Sequence, residues 1–275
     1  MPEWMVESCQ LSDVGQKRRH NEDYVGFYEP ADITDLETHG RLYVLADGVG
    51  GAAAGDIVSH YTVDRIIYTY YRQNLDEDAG SRLRRAIEET NAEVFAQNMD
   101  RSGQTEMATT VVAALIQGDQ LVVANVGDSR AYIIQGERIE QITEDHSLMA
   151  EMINDGIITA EQAETHPYRN VILRSIGAYE AVQVDLFIRQ LAPDDTIILC
   201  SDGMTRLVNN QDLVDITRRY PPAEAARQLI NLANERGGED NISVSITRIT
   251  PHRVQERHMP GAGHLPDLPR WEDLG

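Results

Sequence analysis

The sequence predicts an α+β protein, and three observations carry that prediction. Residues 109–116, 120–126, 130–135 and 138–142 are short apolar runs, and Gly118-Asp119 and Gln135-Gly136 between them read as hairpin turns. Upstream, Val63, Ile66, Ile67 and Tyr70 recur at helical spacing, as do Leu83, Ala86, Ile87, Thr90 and Val94. Strands and helices are therefore grouped rather than alternating along the chain.

In chain order, residues 4–13 read as a strand running into a turn at Asp13-Val14-Gly15. A basic cluster, Lys17-Arg18-Arg19, then leads into Glu22-Asp23, and residues 24–28 form a second strand. Residues 29–40 are polar without a period and read as a loop. Leu42 to Ala46 is a buried strand that ends at an Asp47-Gly48 turn, followed by Gly50 and Gly51. The two long helices, joined by the polar stretch 75–80, read as an antiparallel pair with one apolar face each. Residues 146–175 are polar, with short helical pieces and His166-Pro167, and read as an excursion over the surface. Strands resume at 182–190 and 196–200, and a helix is expected over 210–219. Another starts at Pro222, a residue suited to the first helical position, and stops at Gly237-Gly238. Residues 242–249 are the last strand. The composition then shifts to Pro, Gly, His and charge, so residues 1–250 are expected to form one domain and 251–275 a poorly ordered tail.

The chain has 275 residues, 41% of them hydrophobic, enough for a full core. Its 45 acidic and 24 basic residues give a net charge of −21, which argues against nucleic acid or anionic membrane as a partner. Cys9 and Cys200, both within strands, read as reduced core residues of a cytoplasmic protein. Neither a signal peptide nor an apolar run of membrane-spanning length is expected.

Carboxylates recur in one local context, at a strand end or tight turn: Glu22-Asp23, Asp47-Gly48, Gly127-Asp128-Ser129, Ser201-Asp202-Gly203 and Glu239-Asp240-Asn241. Each alone also reads as a common turn dipeptide. Together, on neighbouring strands, they would repel unless cations were present, and hard oxygen ligands without His or Cys suit Mg²⁺ or Mn²⁺. Paired ions about 3.5–4 Å apart suit phosphoester hydrolysis, because they activate water and clamp an in-line displacement. Such a site also needs a guanidinium for the substrate phosphate. Arg18 is the candidate, its other reading being a solvated charge in the basic cluster.

The order of motifs resembles the metal-dependent serine/threonine phosphatases of the PPM (type 2C) family, in particular bacterial members. The resemblance rests on Ser12-Asp13-Val14-Gly15, Arg18 with Asn21-Glu22-Asp23, Ala46-Asp47-Gly48-Val49-Gly50-Gly51, Ala108-Thr109-Thr110 and Val126-Gly127-Asp128-Ser129-Arg130-Ala131. It continues through Thr143-Glu144-Asp145-His146-Ser147, His166-Pro167-Tyr168-Arg169-Asn170-Val171, Ser201-Asp202-Gly203 and Gly237-Gly238-Glu239-Asp240-Asn241-Ile242-Ser243. It implies a four-layer αββα sandwich of two antiparallel sheets flanked by antiparallel helix pairs. Asp47 would bridge two metals, Mn²⁺ or Mg²⁺, with the Gly48 carbonyl on one of them. Asp202 and Asp240 would complete the first metal's shell, while Glu22 and Asp23 would serve the second. Asp128 would hold a third, weaker ion with Asp202. Arg18 would bind the phosphate, and 146–175 would be the flap that influences substrate choice. The implied activity is hydrolysis of phosphoserine and phosphothreonine on proteins by a metal-bridging hydroxide, reversing kinase signalling. A monomer is expected.

The sequence departs from the family pattern at three positions. Val49 and Ala52 stand where members carry a histidine, so the general acid is unassigned, with His146 or metal-bound water as candidates. Ala108 stands where glycine is usual, with a packing consequence expected. Two rival readings remain: a metal-dependent nuclease, which the charge disfavours, and a non-catalytic phosphoprotein- or kinase-binding module, which the complete ligand set disfavours.

Overall fold

A computed structural model of the chain describes residues 4–49, 54–73, 76–102, 107–251 and 271. Two antiparallel sheets form the centre. The five-stranded sheet contains β1 (Trp4–Asp13), β11 (Ile242–Pro251), β10 (Thr196–Cys200), β7 (Arg130–Gln135) and β8 (Arg138–Gln141), in that spatial order. The second sheet runs β2 (Asp23–Tyr28), β3 (Arg41–Val49), β5 (Val111–Gln117), β6 (Gln120–Val126) and β9 (Asp185–Gln190), with the two-residue β4 (Ala108–Thr109) pairing with β3. Tyr43, Leu45, Val112, Ile133, Ile197 and Leu199 belong to the apolar layer between the sheets. The long helices α2 (Ala54–Arg72) and α3 (Ala79–Ser102) bury Val63, Ile66, Tyr70, Leu83 and Ile87 against the outer face of the second sheet. On the other side, α6 (Asp202–Thr205), α7 (Asn210–Arg219) and α8 (Pro222–Glu235) cover the first sheet through Met204, Leu213, Leu229 and Ala233. These three apolar layers make the αββα sandwich that the resemblance implies.

Three local expectations are corrected, and one unexpected helix is added. Residues 29–40 are not all loop, because α1 (Ile33–His39) forms behind an Asp32 N-cap whose carboxylate accepts from Thr34 and Asp35 N–H groups. A helix this short is held by its caps rather than by an apolar stripe, so periodicity does not reveal it. Asp202 opens another helix too short for a period, α6. The last strand continues beyond residue 249 to Pro251 because β1 pairs with it along its whole length. Asp47-Gly48 is not a turn: β3 runs on to Val49, with Gly48 opposite Thr109 and Val49 opposite Ala108. The glycine is there for close approach, since a Cβ at Gly48 would lie 2.4 Å from the Gly55 carbonyl oxygen and 2.7 Å from that of Glu22. Both obstacles are backbone. Gly48→Ala is therefore expected to destabilise the protein by about 2 kcal/mol or more, read from the urea midpoint; an unchanged midpoint would contradict this packing.

Gly50, Gly51 and Ala52 lie outside the described residues, as does the expected tail (251–275) except for Pro251 and Trp271. That side chain is packed, stacking on Tyr61 with ring centroids 3.8 Å apart and 20° between planes. Its large aromatic face thus finds a partner on α2. Among the described residues no helix is long and apolar enough to cross a membrane.

The segment 146–175 is an excursion between β8 and β9 carrying α4 (Leu148–Asn154) and α5 (Ala160–Glu164). Its ends meet in a Ser147–Ile172 bridge and a Leu173 N–H bond to the His146 carbonyl.

Candidate metal centre

Strand pairing assembles the centre. β2 and β3 set Asp23 opposite Asp47. Asp128 follows β6, Asp202 follows β10, and Asp240 precedes β11, the neighbour of β10. The Ser201 hydroxyl ties the two sheets together, donating to Asp23 Oδ2 at 2.8 Å while accepting from the Ser243 N–H at 3.0 Å. Behind Asp47, its N–H bonds Thr110 Oγ1 at 3.1 Å and its carbonyl accepts from the Thr109 hydroxyl at 2.8 Å. Glu22 is buried, with its carboxylate against Gly55: a Cβ there would lie 2.4 Å from Glu22 Oε2.

The basic loop is stitched to the same place. Asn241 Nδ2 donates to the carbonyls of Val14 and His20, and its Oδ1 accepts from the Glu22 N–H at 2.9 Å. Gly15, at φ +78°, passes so close to the Asp240 carbonyl that a side chain would collide with it. These contacts carry Arg18 to Asp240, where its guanidinium bonds Oδ2 at 2.9 Å while the side chain stays half exposed.

The electrostatics follow from crowding of like charge. Burial, with Asp23, Asp202, Asp128 and Asp240 around it, holds the Asp47 carboxyl well above the usual carboxylate range. Burial, with Asp202 and Asp240 nearby, pushes Asp23 up to about 7. Burial, with Asp202 and Asp145, does the same to Asp128, also to about 7. Glu22 and Asp202 are raised too, by burial first and by Asp240 in addition. All the carboxylates expected at the centre thus act on one another.

Two buried oxygens, Asp23 Oδ1 and Asp128 Oδ1, have no hydrogen-bond partner. Buried orphan acceptors beside mutually repelling carboxylates fit hard divalent cations. Among the described residues, though, no group of three acidic, His or Cys side chains is drawn in to ligating distance. Asp240 instead gives an oxygen to Arg18, and Asp202 gives one to Arg206 at 2.5 Å.

His146 is placed as a brace. Its Nδ1 accepts from the Gly127 N–H at 3.0 Å, which puts the ring proton on Nε2, 3.0 Å from Asp185 Oδ2. Arg174 bonds the other oxygen of Asp185 at 2.8 Å. Burial keeps the imidazole pKa below its ordinary value. His146 therefore links the flap to the backbone just before Asp128. Beside it lies a cavity of about 680 Å³ lined by Glu144, Asp145, Glu151, Arg174 and Asp185.

Comparison with known proteins shows the family. The family model for protein phosphatase 2C matches residues 16–235. The chain belongs to the protein phosphatase 2C family. It is 39% identical over 241 residues to the serine/threonine phosphatase stp of Listeria welshimeri, covering 85% of this chain and 92% of that one. The Mycobacterium tuberculosis serine/threonine phosphatase PstP/Ppp superposes with a TM-score of 0.78 at 31% identity, over 90% of this chain and 99% of that one. A PstP catalytic domain solved in complex with two manganese ions gives 0.77 at 30%, over the same shares. The family is metal-dependent.

In this 2C phosphatase the positions singled out in the sequence, Arg18, Glu22, Asp23, Asp47, Gly48, Asp128, Asp202 and Asp240, all come to one region. Sequence reasoning missed the parts that hold them. Ser201 and Asn241 lie inside quoted motifs, but their cross-sheet bonds link positions far apart in the chain. Arg130 in the Gly-Asp-Ser-Arg motif is structural, forking Asp145 with Nε at 2.9 Å and Nη2 at 2.6 Å. Arg206, four residues after Asp202, had a readable signal in its spacing.

Proposed function

We propose that residues 1–250 form the catalytic domain of a phosphatase that hydrolyses phosphoserine and phosphothreonine on proteins. The observation that supports this most is the convergence of Asp23, Asp47, Asp128, Asp202 and Asp240, with raised carboxyl pKa values and two orphan oxygens, beside a half-exposed guanidinium. Asp47, Asp202 and Asp240 would hold one divalent cation, and Asp47 with Glu22 and Asp23 a second, Mn²⁺ or Mg²⁺; Gly48 would contribute its carbonyl. Bound there, such ions lower the pKa of water and offset charge on phosphoryl oxygens.

The chain's own residues divide the remaining work. Arg18 offers a planar fork of donors at the open edge of the centre, suited to the phosphate's outer oxygens. Substrate binding would draw it from Asp240 and leave that carboxylate free to ligate. Both nitrogens of His146 are engaged, so it holds the flap and the backbone before Asp128 rather than protonating the leaving alkoxide. The flap, 146–175, borders the centre and would meet the protein part of the substrate. A non-catalytic binding module is the weaker reading, because the full set of candidate metal carboxylates and the phosphate-binding guanidinium are present. Reduced Cys9 and Cys200 suit a cytoplasmic setting.

The direct test is turnover of phosphopeptides and p-nitrophenyl phosphate with Mn²⁺, and its loss with chelator. A phosphopeptide bound with metal but never cleaved would refute the activity. Arg18→Ala is expected to raise KM for a phosphopeptide on the order of tenfold to a hundredfold, with a smaller change in kcat. If only kcat fell, the role given to Arg18 would be wrong.

A further inference from the structure

Arg206 caps α6 at its C-terminal end, one turn after Asp202. Its guanidinium pairs with Asp202 Oδ2 at 2.5 Å, with about a third of the arginine side chain (35%) exposed. The same positive charge reaches Asp128, where it opposes the effect of burial on that carboxyl. Asp128 and Asp202 are the two carboxylates that the family resemblance gives to a third, weaker ion. A cation is already paired with one of them and within electrostatic reach of the other.

Charge counting sharpens the point. Glu22, Asp23, Asp47, Asp128, Asp202 and Asp240 make six carboxylates in one electrostatic group. When all are ionised, two divalent cations and the guanidiniums of Arg18 and Arg206 balance them. A third dication would leave the group positive and would face a guanidinium at close range, where like charges repel most. The guanidinium is tethered by the chain, so its occupancy of the corner does not depend on metal supply.

We propose that Arg206 is a resident cation that takes the place of the third ion, so that this phosphatase binds two divalent cations rather than three. The proposal rests on the metal-centre reading of Asp47 and its neighbours. It makes Arg206 a positioning residue that fixes Asp202 and neutralises Asp128, and it removes the third site as a point at which free metal concentration sets activity.

The test counts ions. The whole protein is dialysed to equilibrium against rising free Mn²⁺, and bound metal is measured by elemental analysis while free Mn²⁺ is followed by its EPR signal. Wild type is expected to saturate at two ions, and Arg206→Ala and Arg206→Gln at three, the third binding about tenfold tighter or more than any third ion of the wild type. Arg206→Lys, which keeps the charge, is expected to stay at two. Should Arg206→Ala fail to fold, Arg206→Gln carries the same comparison. Three ions in the wild type, or two in every folded variant, would overturn the role of Arg206 and leave the metal centre standing. No bound ion in the wild type would overturn both.

Discussion

Asp202→Asn is expected to lower kcat/KM for a phosphopeptide on the order of a thousandfold or more at saturating Mn²⁺, because in the proposed centre it would remove a charged ligand from a divalent cation next to the reacting phosphate. The same change has an opposite effect on the metal-free protein. Asp202 is one of the charges that keep the Asp23, Asp47 and Asp128 carboxyls up, so its removal relieves repulsion inside the fold. With chelator at pH 7.5, Asp202→Asn is therefore expected to melt at a higher temperature than wild type. It also releases Arg206, whose guanidinium, about a third exposed, stays in contact with solvent. An inactive but more stable variant separates the role of a ligand from that of a scaffold residue. Retention of activity, or loss of stability along with activity, would count against Asp202 as a ligand.

The second large effect is the pH dependence of the metal-free protein. A carboxyl whose folded pKa is raised binds more protons folded than unfolded, so stability falls as pH rises between the two pKa values. For Asp23 and Asp128 that window opens at the unfolded value, roughly 4, and closes at about 7. Their contribution is fully present below the window and lost above it. Other groups act in the opposite sense. Asp185 beside His146 and Arg174, and Asp212 beside Arg236, have lowered pKa values whose stabilisation is lost as pH falls. Buried neutral His146 likewise loses stability as pH falls below its ordinary pKa. The melting temperature with chelator is thus expected to peak on the acid side, near pH 5, and to fall on the order of 5–10 °C by pH 7.5. Mn²⁺ at pH 7.5 should restore that loss by binding the ionised carboxylates. A chelated protein whose melting temperature climbs steadily from pH 5 to 7.5 would contradict the crowding of charge at this centre.

Much of this was legible in the chain. The helix pair α2–α3 and the hairpins of β5 to β8 show as period and turn chemistry, because each buries one face against a sheet. The metal-centre positions show as motifs because each needs a local shape, such as the Ser201-Asp202 strand exit. Elements of four to seven residues, α1 and α6, carry no period, so capping and tertiary contacts alone define them. Asp47-Gly48 misled for a physical reason. Asp-Gly favours turns, yet here the missing Cβ serves the passage of β3 between the Gly55 and Glu22 carbonyls.

By itself the sequence determined the α+β class, the grouping of strands and helices, the family, and the carboxylates and the arginine proposed for the chemistry. Periodicity and motif order are properties of neighbouring residues, and the chain displays them directly. Only the tertiary structure decided that Asp23 faces Asp47, that Ser201 and Asn241 pin the two sheets and the basic loop together, and that His146 is a brace. It alone brought Arg206, paired with Asp202 one helical turn away, within electrostatic reach of Asp128. Those facts depend on Coulomb forces and hydrogen bonds between residues tens to hundreds of positions apart, over distances that sequence spacing does not encode.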